Sequence, residues 1–302
     1  MTADRLRAPR EEPAAFALLI APPILCLLLL FVLPTALVWL VSFADRGPQG
    51  QILPLATLEN YARALEPIHL FIIAKSLAIA AAVTVACLAL GVPMAVLIAF
   101  APQRWKNPLL LLVMLPFWTN LLVRTYSWVA LLRSEGLVNL GLEAVRDGLG
   151  TVLSVLGVIA EPGPFEPVEF LYTNGAIMLG LIHVHLPFLV LPAYAALEKI
   201  DRDCLESSLD LGATMNQTFR LVVLPAALPG IATGALLTFI LALGALVTAD
   251  LLGGTDGLMI GNLIHRQFTT SNDWPFGAAL SFLLLYATFA LVALGAAFRS
   301  RS

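Results

Sequence analysis

Charge is what this sequence has least of. Acidic and basic residues together make up 12% of the 302 residues, against about 25% in an ordinary soluble domain. So small a charged fraction leaves too little polar surface to solvate a globule, which excludes a water-soluble fold. Cysteine is scarce as well. Cys26, Cys87 and Cys204 have neither the spacing of a disulfide framework nor that of a metal site, and they read as packing residues. No Gly-x-x-x-x-Gly-Lys-Ser/Thr segment occurs, so the chain carries no phosphate cradle of that kind. The net charge of −3 implies no nucleic-acid partner. His183 and His185 stand two residues apart, whereas zinc-binding helices use i, i+4 pairs; interhelical hydrogen bonding is the better reading for them. No nucleophile–base pair or metal constellation stands out to suggest a membrane-embedded enzyme.

What the sequence has instead is apolar length. Hydrophobic residues are 59% of the chain and the mean hydropathy is +0.89. They are blocked into six uncharged stretches: 13–44, 76–103, 107–123, 170–197, 221–249 and 274–298. A helix crosses a bilayer core with about 20 such residues, so each stretch is long enough, the third with some tilt and with Arg124 close to its end. The expectation is an all-α integral membrane protein of six transmembrane helices. It reads as one transmembrane domain over 1–302, with a first, accessory span at 16–43 and a five-span core over about 70–298. The first stretch is much longer than the 7–15 apolar residues of a signal peptide. A further apolar run, 148–160, ends at Pro162-Gly163-Pro164 and suits an interfacial or re-entrant segment. Pro22-Pro23, Pro34, Pro93, Pro116, Pro187 and Pro192 would bend spans and free carbonyls, which is tolerated where neighbours or a wet cavity satisfy the backbone.

Basic residues assign the sides. Arg5, Arg7, Arg10, Arg104, Lys106, Lys199, Arg202, Arg220, Arg299 and Arg301 share one face if there are six spans, so both termini are expected in the cytoplasm. The opposite face holds most of the 20 carboxylates, among them Glu59, Glu66, Glu135, Glu143, Asp250 and Asp273. An acidic mouth would attract cations, or it is simply the face from which basic residues are excluded. Both readings are open.

The loop over 198–225 is the most informative part of the chain. Asp201 or Asp203 can cap a short helix running through Leu211. Leu205, Ser208, Leu209 and Gly212 share a face at helical spacing. Gly212 is placed as a left-handed C-terminal residue. Thr214 or Asn216 can cap a second short helix with Phe219 and Val222 on its apolar side, and Pro225 and Pro229-Gly230 mark a bend into the next span. A compact helix–turn–helix on the cytoplasmic face, with Glu206 near its middle, is suited to docking in a groove.

The run Glu206-Ser-Ser-x-x-x-Gly212, nine residues, Val222-x-Leu224-Pro225 resembles the "EAA" loop of ABC importer permeases, Glu-Ala-Ala-x-x-x-Gly, nine residues, Ile-x-Leu-Pro. Ser207, Ser208 and Val222 depart from the pattern within the same size class. Further segments resemble the spermidine/putrescine branch of that family. They are Pro116-Phe-Trp-Thr-Asn-Leu-Leu-Val-Arg124-Thr-Tyr-Ser-Trp128, Leu197-Glu-Lys-Ile-Asp, Asp250-Leu-Leu-Gly-Gly254, Leu258-Met-Ile-Gly-Asn262 and Asp273-Trp-Pro-Phe-Gly-Ala-Ala279. One segment, Gly244-Ala-Leu-Val-Thr-Ala-Asp250, lacks the glutamate and the aromatic often found there. The resemblance implies a type I ABC importer permease fold in the inner membrane of a bacterium. It assigns Glu206, Ser207, Ser208, Asp210, Leu211, Gly212 and Ala213 to contact with a cytoplasmic ATPase dimer. ATP and Mg would reside in that partner, with none bound here. It also implies a second, related permease subunit and an external solute-binding protein. The cargo it points to is a polyamine, with another small organic solute as the alternative. An ATPase-independent transporter would need a charge relay deep in the spans, and the charges sit instead at span ends.

Candidates for the substrate path are Trp118, Tyr126, Trp128, Asp250 and Asp273. The aromatics could hold an ammonium by cation–π contact or form the aromatic belt of a membrane helix. Asp250 could attract a cation or cap the following turn. Arg124 beside them cannot attract a cation and reads as snorkelling or paired.

Overall fold

A computed structural model of the chain describes residues 13–48, 50–53, 56–155, 165–255 and 257–299. In chain order the elements are α1 (Pro13–Leu27), a π-helical turn Leu28–Val32, α2 (Leu33–Val41), β1 (Asp45–Arg46), β2 (Ile52–Leu53), α3 (Glu59–Ala64) and α4 (Pro67–Ala99). Then follow α5 (Gln103–Met114), a 3-10 turn Leu115–Trp118, α6 (Leu121–Leu132), α7 (Leu137–Val155) and α8 (Asn174–Leu197). The remainder is α9 (Arg202–Asp210), α10 (Met215–Thr218), a second π-helical turn Phe219–Val223, α11 (Leu224–Leu243), α12 (Val247–Gly253), α13 (Ile260–Thr269) and α14 (Trp274–Arg299).

Among the described residues, five helices are long and apolar enough to cross a membrane: Phe16–Val41, Pro67–Ala99, Asn174–Leu197, Met215–Leu243 and Trp274–Ala293. A bent pair, Gln103–Trp118 with Leu121–Thr151, turns through 91° and makes a sixth if counted as one span. The bend expected at Pro116 is therefore found, and it divides the third apolar stretch between α5 and α6. Pro116 lacks a backbone N–H and disfavours helix at the preceding residue. Thr119 (ψ 146°) and Asn120 (ψ 138°) are extended. The Asn120 side chain then accepts from Leu122 N at 2.8 Å and starts α6.

Each π-helical turn lies directly before a proline in the first turn of the next helix, Pro34 in one case and Pro225 in the other. A wider turn there accommodates the ring and the missing donor without ending the helix. Pro225 consequently marks no bend: Met215–Leu243 is one run, and the second helix of the loop is the start of the following span.

By packing, the chain falls into two compact units. One holds the residues up to Glu66 and those from Arg266 onward. In it the Phe16–Val41 helix exposes its apolar side chains, and Trp39 Nε1 donates to the Tyr286 hydroxyl at 2.7 Å. A two-residue antiparallel ladder pairs Asp45 with Leu53. Asn60, buried, donates to the Ala44 carbonyl at 2.8 Å.

The other unit, Pro67–His265, is built on α4, α8 and α11. Ala95, Ile98, Ala99, Val190, Ala193, Leu197, Val223, Ala227 and Ile231 form its main buried cluster. Gly230 and Gly234 permit close approach of α11 to α8: a Cβ would sit 2.5 Å from the Pro192 carbonyl oxygen at the first and 2.9 Å from the Leu189 carbonyl oxygen at the second. α7 buries a polar residue and leaves several of its leucines outside. Its polar Asn139 is buried and bonded to the backbone of Arg133 and Val168, while Leu137, Leu142, Val145 and Leu149 are exposed. Residues 148–155 of the apolar run, expected as an interfacial or re-entrant segment, are the end of this helix; 156–160 lie outside the described residues.

Candidate functional site

The loop over 198–225 is a locally determined object. Asp201 accepts from Asp203 N at 3.1 Å and starts α9. Ser207 Oγ donates back to the Asp203 carbonyl at 2.7 Å. At the other end Gly212 takes φ +86°. Its N–H bonds to Leu209 O at 2.9 Å, and the Ala213 N–H reaches Ser208 O at 3.2 Å. Those two bonds are the paired closure of a Schellman motif, which needs a residue comfortable at positive φ. Thr214 and Gln217 then form a reciprocal capping box. A 2.6 Å hydrogen bond between the Ser208 and Thr218 hydroxyls ties the two helices together.

This geometry sorts the loop residues by face. Leu205 and Phe219 pack on the main cluster and Val223 lies within it, while Val222, expected with Phe219 on the apolar side, is only half-buried. Leu209 and Gly212, expected to share an apolar face with Leu205, are exposed. Glu206, Ser207 and Asp210 are exposed too, Leu211 is 89% exposed, and Ser208 and Ala213 are partly covered. The protrusion thus presents an acidic edge together with exposed apolar side chains around a capped turn, among them Leu211 and Met215.

The path candidates do not form one cluster. Trp128 Nε1 donates to His183 Nδ1 of α8 at 2.9 Å, with the rings edge to face. Arg124, Trp128 and His183, with Thr119, Val123, Ser127 and Leu131, line a cavity of about 280 Å³. In it Arg124 reaches the Thr119 carbonyl at 3.4 Å, and its buried Nε has no hydrogen-bond partner among the described residues. Trp118 and Tyr126 are 77% and 57% exposed and do not line that cavity. His183 was legible as an interhelical hydrogen-bonding residue; its partner, 55 positions away, was not. His185 differs, bonding at 2.8 Å to Leu181 O of its own helix.

Asp250 does not end the fifth span, which stops at Leu243; it lies in the separate short helix α12. There Asn262 Nδ2 approaches its carboxylate at 3.4 Å. Asp273, in the first compact unit, is 1% exposed. One of its oxygens accepts from Phe276 N at 3.2 Å as the first-turn cap of α14, and the other from Arg63 at 3.1 Å, with Arg46 at 3.8 Å. Arg63 also stacks over the Phe276 ring at 4.2 Å.

A contact that the sequence reading passed over joins the two termini of apolar stretches. Lys106 Nζ donates to both Glu198 oxygens, at 2.9 and 2.8 Å. The signal was present, since the two opposite charges bound stretches 107–123 and 170–197.

Three comparisons bear on this chain. Residues 88–300 match the family model described as "Binding-protein-dependent transport system inner membrane component". The "Spermidine/putrescine transport system permease protein PotB" of Salmonella typhimurium (strain SL1344) is 39% identical over 258 residues, 85% of this chain and 84% of that protein. The "Inner membrane ABC transporter permease protein YdcU" of Escherichia coli (strain K12) is 36% identical, over 83% of this chain and 77% of that protein. Among solved structures, a chain of a bacterial ABC transporter involved in the import of the acidic polysaccharide alginate superposes with TM-score 0.67. It is 18% identical and the match covers 95% of both chains, a likeness of fold.

Proposed function

The chain belongs to the binding-protein-dependent transport system inner membrane components, and from that membership we propose that it is one of two permease subunits enclosing the path of an ATP-driven polyamine importer. It is a multi-pass protein of the bacterial inner membrane. In the proposed arrangement it has six spans, the bent pair counting as one, and both termini face the cytoplasm. A related second permease completes the path, and an external binding protein delivers the solute. Two cytoplasmic ATPase subunits bind ATP and Mg and hydrolyse the nucleotide.

The observation that carries this reading is the construction of the 198–225 loop. α9 is fixed at both ends by its own caps and joined through α10 and the π-helical turn to the head of α11. A rigid lever continuous with a span converts movement of a docked partner into movement of that span. Its exposed residues, Glu206, Asp210 and Leu211, are the surface offered to the ATPase groove. Spermidine and putrescine are proposed as cargo on the 39% identity to the permease named for them. The alternative, another small organic solute, is supported by the missing glutamate and aromatic in 244–250.

The test is copurification with the cognate ATPase, compared among wild type, Glu206→Ala and Gly212→Pro. Both variants should lose ATPase association or solute-stimulated hydrolysis, Gly212→Pro the more completely because proline cannot take φ +86°. Equal association and stimulation in all three would refute the docking role. Uptake of labelled spermidine and putrescine into liposomes holding the full complex decides the cargo. No uptake of either, with another amine or acid transported, moves the assignment to the alternative.

A further inference from the structure

Lys106 is 6% exposed, although it stands at the head of an apolar segment where a lysine would ordinarily extend into water. What holds it is Glu198, with both carboxylate oxygens on the ammonium. Glu198 is itself 37% exposed, so the buried charge is the lysine's alone; burying even one charge is costly, and such a pair is better explained by registry than by stability.

The two residues occupy the ends of the two segments that would have to move together. Lys106 lies in the first turn of α5, which runs into the 3-10 turn Leu115–Trp118 and then into α6, the bearer of Arg124 and Trp128. Glu198 caps the end of α8 and precedes by three residues the Asp201 that starts α9. A cavity of about 580 Å³ surrounds the pair, lined in part by Phe100, Gln103, Leu197 and Ile200, so the helix ends are not wedged against each other. A lysine ammonium is a point charge with rotating donors, unlike the planar fork of arginine. It can stay bonded to a carboxylate while the angle between two helices changes.

We propose that the Lys106–Glu198 ion pair is the joint that carries movement of the 198–225 loop into the broken third span, which makes Lys106 a positioning residue for transport. This rests on the loop being the ATPase-docking element. When the ATPase draws on α9, the end of α8 shifts and the pair pulls the head of α5 with it. The bend at Thr119–Asn120 then turns that pull into a swing of α6.

The experiment uses the whole complex in liposomes, with its ATPase and binding protein, recording solute uptake and ATP hydrolysis together. Lys106→Met should retain the ATPase and its hydrolysis, while solute moved per ATP falls by about fivefold or more, the scale of coupling changes at residues outside the ligand site. The exchanged pair Lys106→Glu with Glu198→Lys should recover most of the lost ratio, which a merely space-filling role would not. A Lys106→Met complex with the wild-type ratio overturns the inference, as does an exchanged pair that assembles but stays uncoupled. If both variants fail to assemble, the pair belongs to folding and the inference falls. Failure of the docking reading looks different: wild type itself would not hold the ATPase, or Glu206→Ala and Gly212→Pro would leave hydrolysis unchanged.

Discussion

Both the third and the fourth apolar stretches contain prolines, and only the third breaks. α8 carries Pro187 and Pro192 inside an unbroken helix, whereas the stretch with Pro116 turns through 91°. The difference lies in what surrounds each proline. α8 packs against α4 and α11, and Pro187, Leu189, Val190 and Ala193 are buried there. A departure from helix would open that core. Around Pro116 little is buried, with Val113, Thr125 and Leu132 the covered apolar and hydroxyl residues of α5 and α6. Polar side chains stand ready to replace the lost helix bonds: Thr119 Oγ donates to Pro116 O at 2.8 Å, and Asn120 caps α6. A proline thus ends a membrane helix where local caps are available and tertiary packing is not. The packed helix is the scaffold, and the broken one is the element left free to respond.

The largest effect should come from the scaffold side. Gly234→Leu places a side chain where even a Cβ would be 2.9 Å from Leu189 O, and backbone cannot step aside as a side chain can. The expected loss is at least ~3 kcal/mol, the top of the range for overpacking. It would be read as a lowered midpoint of thermal unfolding in detergent, and an unchanged midpoint would mean that α8 and α11 are not so tightly joined.

A smaller effect should come from the break itself. Asn120→Ala removes the acceptor for Leu122 N, worth about 1 kcal/mol at a helix N-terminus. Unfolding should shift little. The angle between α5 and α6 should instead spread, seen as a broader distance distribution between spin labels on the two helices. An equally narrow distribution would assign the bend to Pro116 alone.

These two sites also mark where the sequence was readable. Gly212, Thr214 and Asp201 were legible because caps are made by residues within a few positions of one another. Pro116 was legible as a bend, but Pro187 and Pro192 carried the same sequence signal and left α8 unbroken. Pro225 misled in the same sense, because a π-helical turn absorbs it. The run at 148–160, suited to an interfacial or re-entrant segment, was read apart from the residues before it, of which Asn139 turns inward. The pairing of Trp128 with His183 and of Lys106 with Glu198, separated by 55 and 92 positions, is a property of the packed helices; for the second pair the sequence showed only that two opposite charges bound apolar stretches.

The smallest effect sharpens the comparison most, because it concerns the thread between the two segments. Trp128→Phe keeps an aromatic ring against His183 but removes the only donor of the indole. Interhelical hydrogen bonds in membranes average about 0.6 kcal/mol. Trp128→Phe alone also changes ring size, so the informative quantity is a double-mutant cycle with His183→Ala, in which packing losses cancel. A coupling energy near 0.6 kcal/mol, about a threefold change in the unfolding constant, would show that α6 is tethered to the scaffold through this bond. A coupling near zero would leave α6 held to α8 by van der Waals contact alone. α6 would then be freer of α8 than its aromatic contacts suggest.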